Sequence, residues 1–341
     1  MKFTLPKDAL PDVTLTNDQK AAFVGEAAAG SAWSLKRRGS DTPWTDTDAE
    51  SSLSGVSGDS IQERMKRPGV SLMVLFGSID GNLGDCMFGT CVPTNQAWIW
   101  RSSHIKDHFD DARILAHIRG PTKQDPFRFL NIKWFAKEIP AMLAGIVQQR
   151  DYILLEASGV TQDSRGDTIG YYILHSVPLP GFPEFSDLAF SDPAGDMIDR
   201  VNVSIFADSL LSAAKVIDYA YIKKLTWLMK HKSAQQSVSE APRPTRCEAC
   251  DKNFTKFALT GVGSGAPCHL CHREVCGKCS VVKKMTVDVT STGAVKQCSL
   301  RFCLACLLRA KEHSVWEVAL SGIETSWERS SASDSGRMPT V

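Results

Sequence analysis

Eight cysteines between Cys247 and Cys306 fall into four C-x-x-C pairs: Cys247/Cys250, Cys268/Cys271, Cys276/Cys279 and Cys303/Cys306. That spacing lets two thiolates on a tight turn face one cation, and four thiolates complete a tetrahedral Zn²⁺ shell. Eight ligands therefore imply two sites. Only four residues separate Cys271 from Cys276, too few for the second and third pairs to close comfortably around one ion. The economical arrangement is interleaved. Cys247, Cys250, Cys276 and Cys279 hold one zinc, and Cys268, Cys271, Cys303 and Cys306 hold the other. Two zincs then staple a segment too short to build its own core, and metal supplies most of its folding free energy. Free thiols or disulfides would not need this regularity.

The run C-x2-C-x17-C-x2-C-x4-C-x2-C-x23-C-x2-C resembles the FYVE zinc finger over Arg246–Leu320. Gly277 after the fifth cysteine and Arg301-Phe302-Cys303, similar to that family's Arg-Val-Cys strand, support the likeness. Leu307 to Leu320 reads as the closing helix. The resemblance implies a cross-brace finger with Zn²⁺ as cofactor, two per chain. It departs from the family at two points. The basic patch that precedes the third cysteine is replaced by the uncharged Gly263-Ser264-Gly265-Ala266-Pro267, and the family's Trp-x-x-Asp before the first cysteine is missing from Ala241–Arg246. Phosphatidylinositol 3-phosphate affinity therefore does not carry over with the scaffold. His269 and His272 flank Cys271 and are read as surface or supporting residues rather than ligands.

A length of 341 residues has room for two domains, and 43% hydrophobic residues mark a globular chain. The net charge of +1 gives no field that recruits nucleic acid. The finger's surplus of Lys and Arg is largely offset by eight thiolates on two Zn²⁺. Cysteines placed for metal suit a reducing compartment, and Cys86, Cys91 and Cys298 read as ordinary thiols. No run approaches the ~18 apolar residues of a membrane span, and MKFTLPKDAL has no apolar run long enough for a signal peptide, so none is expected. The expectation is a cytoplasmic protein, soluble or peripheral on endosomal membranes.

Ahead of the finger, Thr16-Asn17-Asp18 can cap a helix over 17–37. Gly39–Ser60 reads as an exposed loop. Strands are expected at Val70–Gly77, Ala112–Ile118, Asp125–Glu138, Tyr152–Ala157 and Thr168–Val177, with a short helix within Asp80–Gly89. Phe127, Phe129, Asn131, Lys133 and Phe135 alternate with Arg128, Leu130, Ile132 and Trp134, so both faces of that strand are partly apolar. Phe206, Leu210, Ala214, Ile217, Tyr221, Leu225 and Leu228 form one stripe of a helix over 205–230, with Lys224 off it. Together these elements resemble the START-like helix-grip fold, in which a last helix closes over an apolar lipid cavity. The residues that carry the likeness are Gly120-Pro121-Thr122, Asp125–Trp134, Asp151–Ala157, Gly170–Val177 and the helix at 205–230. Phe182–Val203 is too short for the two further core strands of that family.

The fold class read from the sequence is thus α+β: a START-like antiparallel sheet with a long C-terminal helix over 1–231, a linker at 232–246, a FYVE-type finger at 247–320 and a tail at 321–341. The resemblance implies a non-enzymatic adaptor with a lipid- or membrane-associated role. Arg273, Lys278, Lys283, Lys284 and Arg301 are the candidate donors to a phosphoinositide or other lipid headgroup. Phe254, Phe257 and Leu259 occupy the position of the loop that FYVE fingers insert into a bilayer. The alternative is a protein-binding finger, since related fingers lacking the basic patch bind small GTPases through flanking helices. No long helix is expected directly before Cys247, which counts against it. A RING-like ubiquitin ligase fits the spacing less well. A closed four-thiolate shell leaves no coordination position for catalysis, and no Cys–His pairing suggests a nucleophile.

Overall fold

A computed structural model describes residues 13–29, 33–36, 79–105, 109–138, 151–162, 165–177, 211, 213–231, 244–254, 265–289 and 295–323. The chain divides into two compact units, Met1–Val216 and Ile217–Val341. The first is built on an antiparallel sheet. Its strands are β1 (Trp33–Lys36), β2 (Phe109–Arg119), β3 (Phe129–Lys137), β4 (Asp151–Gln162) and β5 (Thr168–Ser176), in the order β1-β5-β4-β3-β2.

The alternation in β3 decides what covers each face. Leu130 and Ile132 join Leu155, Ala157 and Ile173 under Phe23 of α1 (Asn17–Ala29). On the opposite face Phe129, Phe135 and Tyr172 gather with Trp98 of α3 (Asn95–Ile105) and with Cys91 and Val92. Between these two helices in sequence lies α2 (Leu83–Thr90), capped by Asn82, whose side chain accepts from the Asp85 N–H at 2.7 Å. Gly170 lets α2 approach β5, because a Cβ there would lie 2.4 Å from the Met87 sulfur.

The same face buries charge. Glu156, 1% exposed, contacts the Lys133 ammonium, accepts from the Tyr172 hydroxyl and lies 3.7 Å from Arg101. Lys133 also sits 4.2 Å from the centre of the Trp98 ring. Two cations on one carboxylate, with aromatic rings around them, keep each charge compensated away from water.

Several sequence expectations change. The N-terminal helix ends at Ala29 and Trp33 lies in β1, paired with Tyr172, rather than in a helix running to 37. Asp125–Phe127 is a turn, closed by Thr122, so β3 starts only at Phe129. The helix α3 was not expected; Thr94, whose hydroxyl accepts from Ala97 N–H at 3.2 Å, is the cap that could have signalled it. Gly39–Ser60 and Val70–Gly77 lie outside the described residues. Of the helix expected over 205–230, Leu211 is helical, Ala213–Lys215 is a 3₁₀ turn and α4 (Val216–His231) follows, while 205–210 and 212 lie outside the described residues. No helix among the described residues is long and apolar enough to cross a membrane.

Candidate metal centres

Most of α4 belongs to the second compact unit. Leu225 and Leu228 share a buried cluster with Cys247, Cys268, Leu270, Val275, Met285, Phe302, Cys303, Cys306 and Ala310. The sequence reading kept this helix with 1–231; in the structure most of it falls in the compact unit that holds the cysteines. Lys224, read from the sequence as off the stripe, is 1% exposed and donates to the Lys311 carbonyl at 2.9 Å. That carbonyl ends α5 (Leu304–Glu312), where the helix dipole favours a cation. Trp227 donates to Ser321 Oγ at 2.6 Å, tying α4 to α6 (315–323).

The remaining scaffold is small. A short ladder pairs β6 (Ala266–Pro267) with β7 (Glu274–Val275), and a hairpin joins β8 (Ser280–Val289) to β9 (Val295–Cys303). Ser280 opposes Cys303 in that hairpin. The third cysteine pair thus leads into β8 and the fourth leaves β9 at the same end, which brings the last two pairs close despite the long gap between them.

The eight cysteines form two groups: Cys247, Cys250, Cys276 and Cys279, and Cys268, Cys271, Cys303 and Cys306. Within each group all sulfurs lie within 4.8 Å of one another. The Cys250–Cys276 separation is 3.9 Å and the Cys271–Cys303 separation 3.7 Å. A tetrahedral ion with Zn–S bonds of about 2.3 Å sets its sulfurs about 3.8 Å apart, so the residues present fit two such ions.

The two groups are built alike. In the first knuckle Asp251 N–H donates to the Cys247 carbonyl at 2.8 Å and Cys247 N–H to the Lys252 carbonyl at 2.9 Å. In the second, His272 N–H donates to the Cys268 carbonyl at 2.8 Å and Cys268 N–H to the Arg273 carbonyl at 2.9 Å. Asp251 (φ 54°) and His272 (φ 60°) both take the left-handed conformation that turns the chain away from the sulfurs. The third cysteine of each group donates its N–H to the first sulfur at 3.3 Å: Cys276 to Cys247, Cys303 to Cys268. The chain repeats one local design twice, which cysteine spacing alone did not reveal.

These bonds set the charge. Burial opposes ionisation of Cys247, yet the N–H groups of Cys276, Ala249 and Cys250 and the Cys250 thiol bring it down to about 6. Burial likewise opposes a charge on Cys268, and the N–H groups of Cys271, Cys303 and Leu270 bring it to about 7. Hydrogen bonding with the Cys250 and Cys276 sulfurs, then burial, pushes Cys279 up to about 12, and burial with the Cys303 and Cys268 sulfurs drives Cys306 well above its usual range. Each group thus presents one ready thiolate to a cation, and Cys279 and Cys306 give up their protons only as it binds.

Arg273, Lys278 and Lys284 are exposed. Lys283 points from the opposite face of β8 to Lys284 and lies 3.8 Å from Asp218 of α4. Arg301 donates to Ser280 Oγ at 2.9 Å. Phe254 is half-buried on the cysteine core, where its ring would meet any Cβ at Gly265; Phe257 and Leu259 lie outside the described residues. Neither His269 nor His272 belongs to a cysteine group. No family model, no curated protein and no solved structure matches this chain.

Proposed function

We propose that the chain is a non-enzymatic zinc-binding adaptor, whose cysteine-rich unit holds two structural Zn²⁺ and docks on a protein partner. The observation that carries this reading is the pair of closed four-sulfur groups with α4 packed on their shared core. Four sulfurs fill a tetrahedral shell and leave no position for substrate. The helix α4, which the sequence reading gave to the sheet, packs on the core of the cysteine-rich unit, and related fingers without the basic patch bind small GTPases through flanking helices. Exposed Leu304, Leu308 and Trp316 offer apolar contact area on the same unit.

Binding of the full chain to a panel of purified small GTPases, each in both nucleotide states, tests the reading. Selective binding that is lost in Leu308→Glu is expected. Headgroup recognition is the second reading, and it rests on Lys278, Lys284 and Arg273 being exposed. Sedimentation of the full chain with liposomes, with and without phosphatidylinositol 3-phosphate, separates the two. Lipid-specific, salt-sensitive binding with no GTPase binding would replace the first reading with the second.

A further inference from the structure

We propose that the second unit carries a third divalent-metal site, of imidazole and carboxylate type, in the pocket beside the Cys268 group. The pocket has a volume of about 280 Å³, and its wall includes Trp227, His231, His313 and Glu317. His231 Nδ1 lies 2.9 Å from the Trp227 carbonyl oxygen. A carbonyl only accepts, so Nδ1 carries the proton and Nε2 of the neutral ring keeps its lone pair. This is the hydrogen bond that orients imidazoles on metals. His313 Nε2 is shielded from solvent without a hydrogen-bond partner, 3.6 Å from Glu317 Oε2. Two ligands about 2.0 Å from a tetrahedral ion stand about 3.3 Å apart, so this pair is already near ligand spacing.

Both imidazoles lie against one indole, with ring centres 4.2 Å (His231) and 4.7 Å (His313) from that of Trp227. Cys271 and Cys306 also border the pocket. With those cysteines in a four-thiolate zinc group, the wall is negative, since the group's charge and Glu317 outweigh Arg309. That field favours a cation; this part of the argument rests on the zinc reading above. Among the described residues only the cysteine groups are already drawn within 4.8 Å. A third ion must therefore draw His231 in, and it binds more weakly than the other two. Nitrogen and carboxylate donors suit a borderline ion of the Zn²⁺ class, with water completing the shell.

The test counts zinc per full-length chain after dialysis against excess Zn²⁺. Three ions are expected, one of them removed by a weak chelator. His313→Asn and Glu317→Gln are each expected to lower the count to two while leaving the chelator-resistant pair. A wild-type count of two, or a third ion kept by both variants, overturns the proposal. Failure of the four-thiolate reading shows separately, as a chain without two chelator-resistant ions. Co²⁺ added to the zinc-loaded wild type gives a second readout that needs no variant. A weak visible band is expected, and a thiolate-to-cobalt charge-transfer band in its place would put the ion at the cysteines and overturn the site.

Discussion

Asp251 and His272 occupy equivalent places after a C-x-x-C, both at positive φ. The left-handed conformation costs a residue with a Cβ about 1–2 kcal/mol, least for Asp and Asn. Gly at either position is expected to raise the thermal midpoint of the second unit, and Asp251→Val to lower it by destabilising the unit by about 1–2 kcal/mol. Calorimetry of the zinc-loaded protein reads both. Acid acts through the thiols. Cys247 and Cys268 are lowered from 9.0 to about 6 and 7, so the stability they contribute to the folded unit is complete above pH 9 and is lost as pH falls through those values. Zinc loading is therefore expected to release more than one proton per ion at pH 7, and occupancy to fall on acidification. Titration in weak buffer follows the protons, and metal analysis the ions.

At the scale of elements, the legible features were those with strong local periodicity. The strands expected at 125–138, 152–157 and 168–177 are present as β3, β4 and β5, with β3 starting four residues later and β4 running on to Gln162. The cysteine grouping was legible because ligand count and a four-residue gap leave few arrangements. A helical stripe, by contrast, names a face and not the surface it covers. That is why α4 was read as closing a sheet, while Leu225 and Leu228 pack against cysteines. Lys224 was opaque for a related reason: it is buried, and its partner is a carbonyl 87 residues away. Lys224→Met is expected to destabilise the second unit by about 1.5–3 kcal/mol, the range for a lost hydrogen bond to a charged group. Leu228→Ala should destabilise it by about 2–5 kcal/mol through the cavity left behind. Denaturant midpoints of the zinc-loaded protein give both figures.

For the molecule as a whole, each unit has its own source of stability. The first buries aromatic and aliphatic side chains on both faces of a five-stranded sheet. In the second, four of the eleven residues of the buried cluster are themselves cysteines of the two groups, and so small a core does not fold a chain without metal. The account's central claim is that two ions hold this unit, α4 included. Amide hydrogen exchange on the full chain, before and after removal of zinc with a strong chelator, tests it most directly. Protection is expected to vanish together in 247–306 and in α4 while β2 to β5 keep theirs. Protection of 247–306 that survives removal of both ions would contradict the claim.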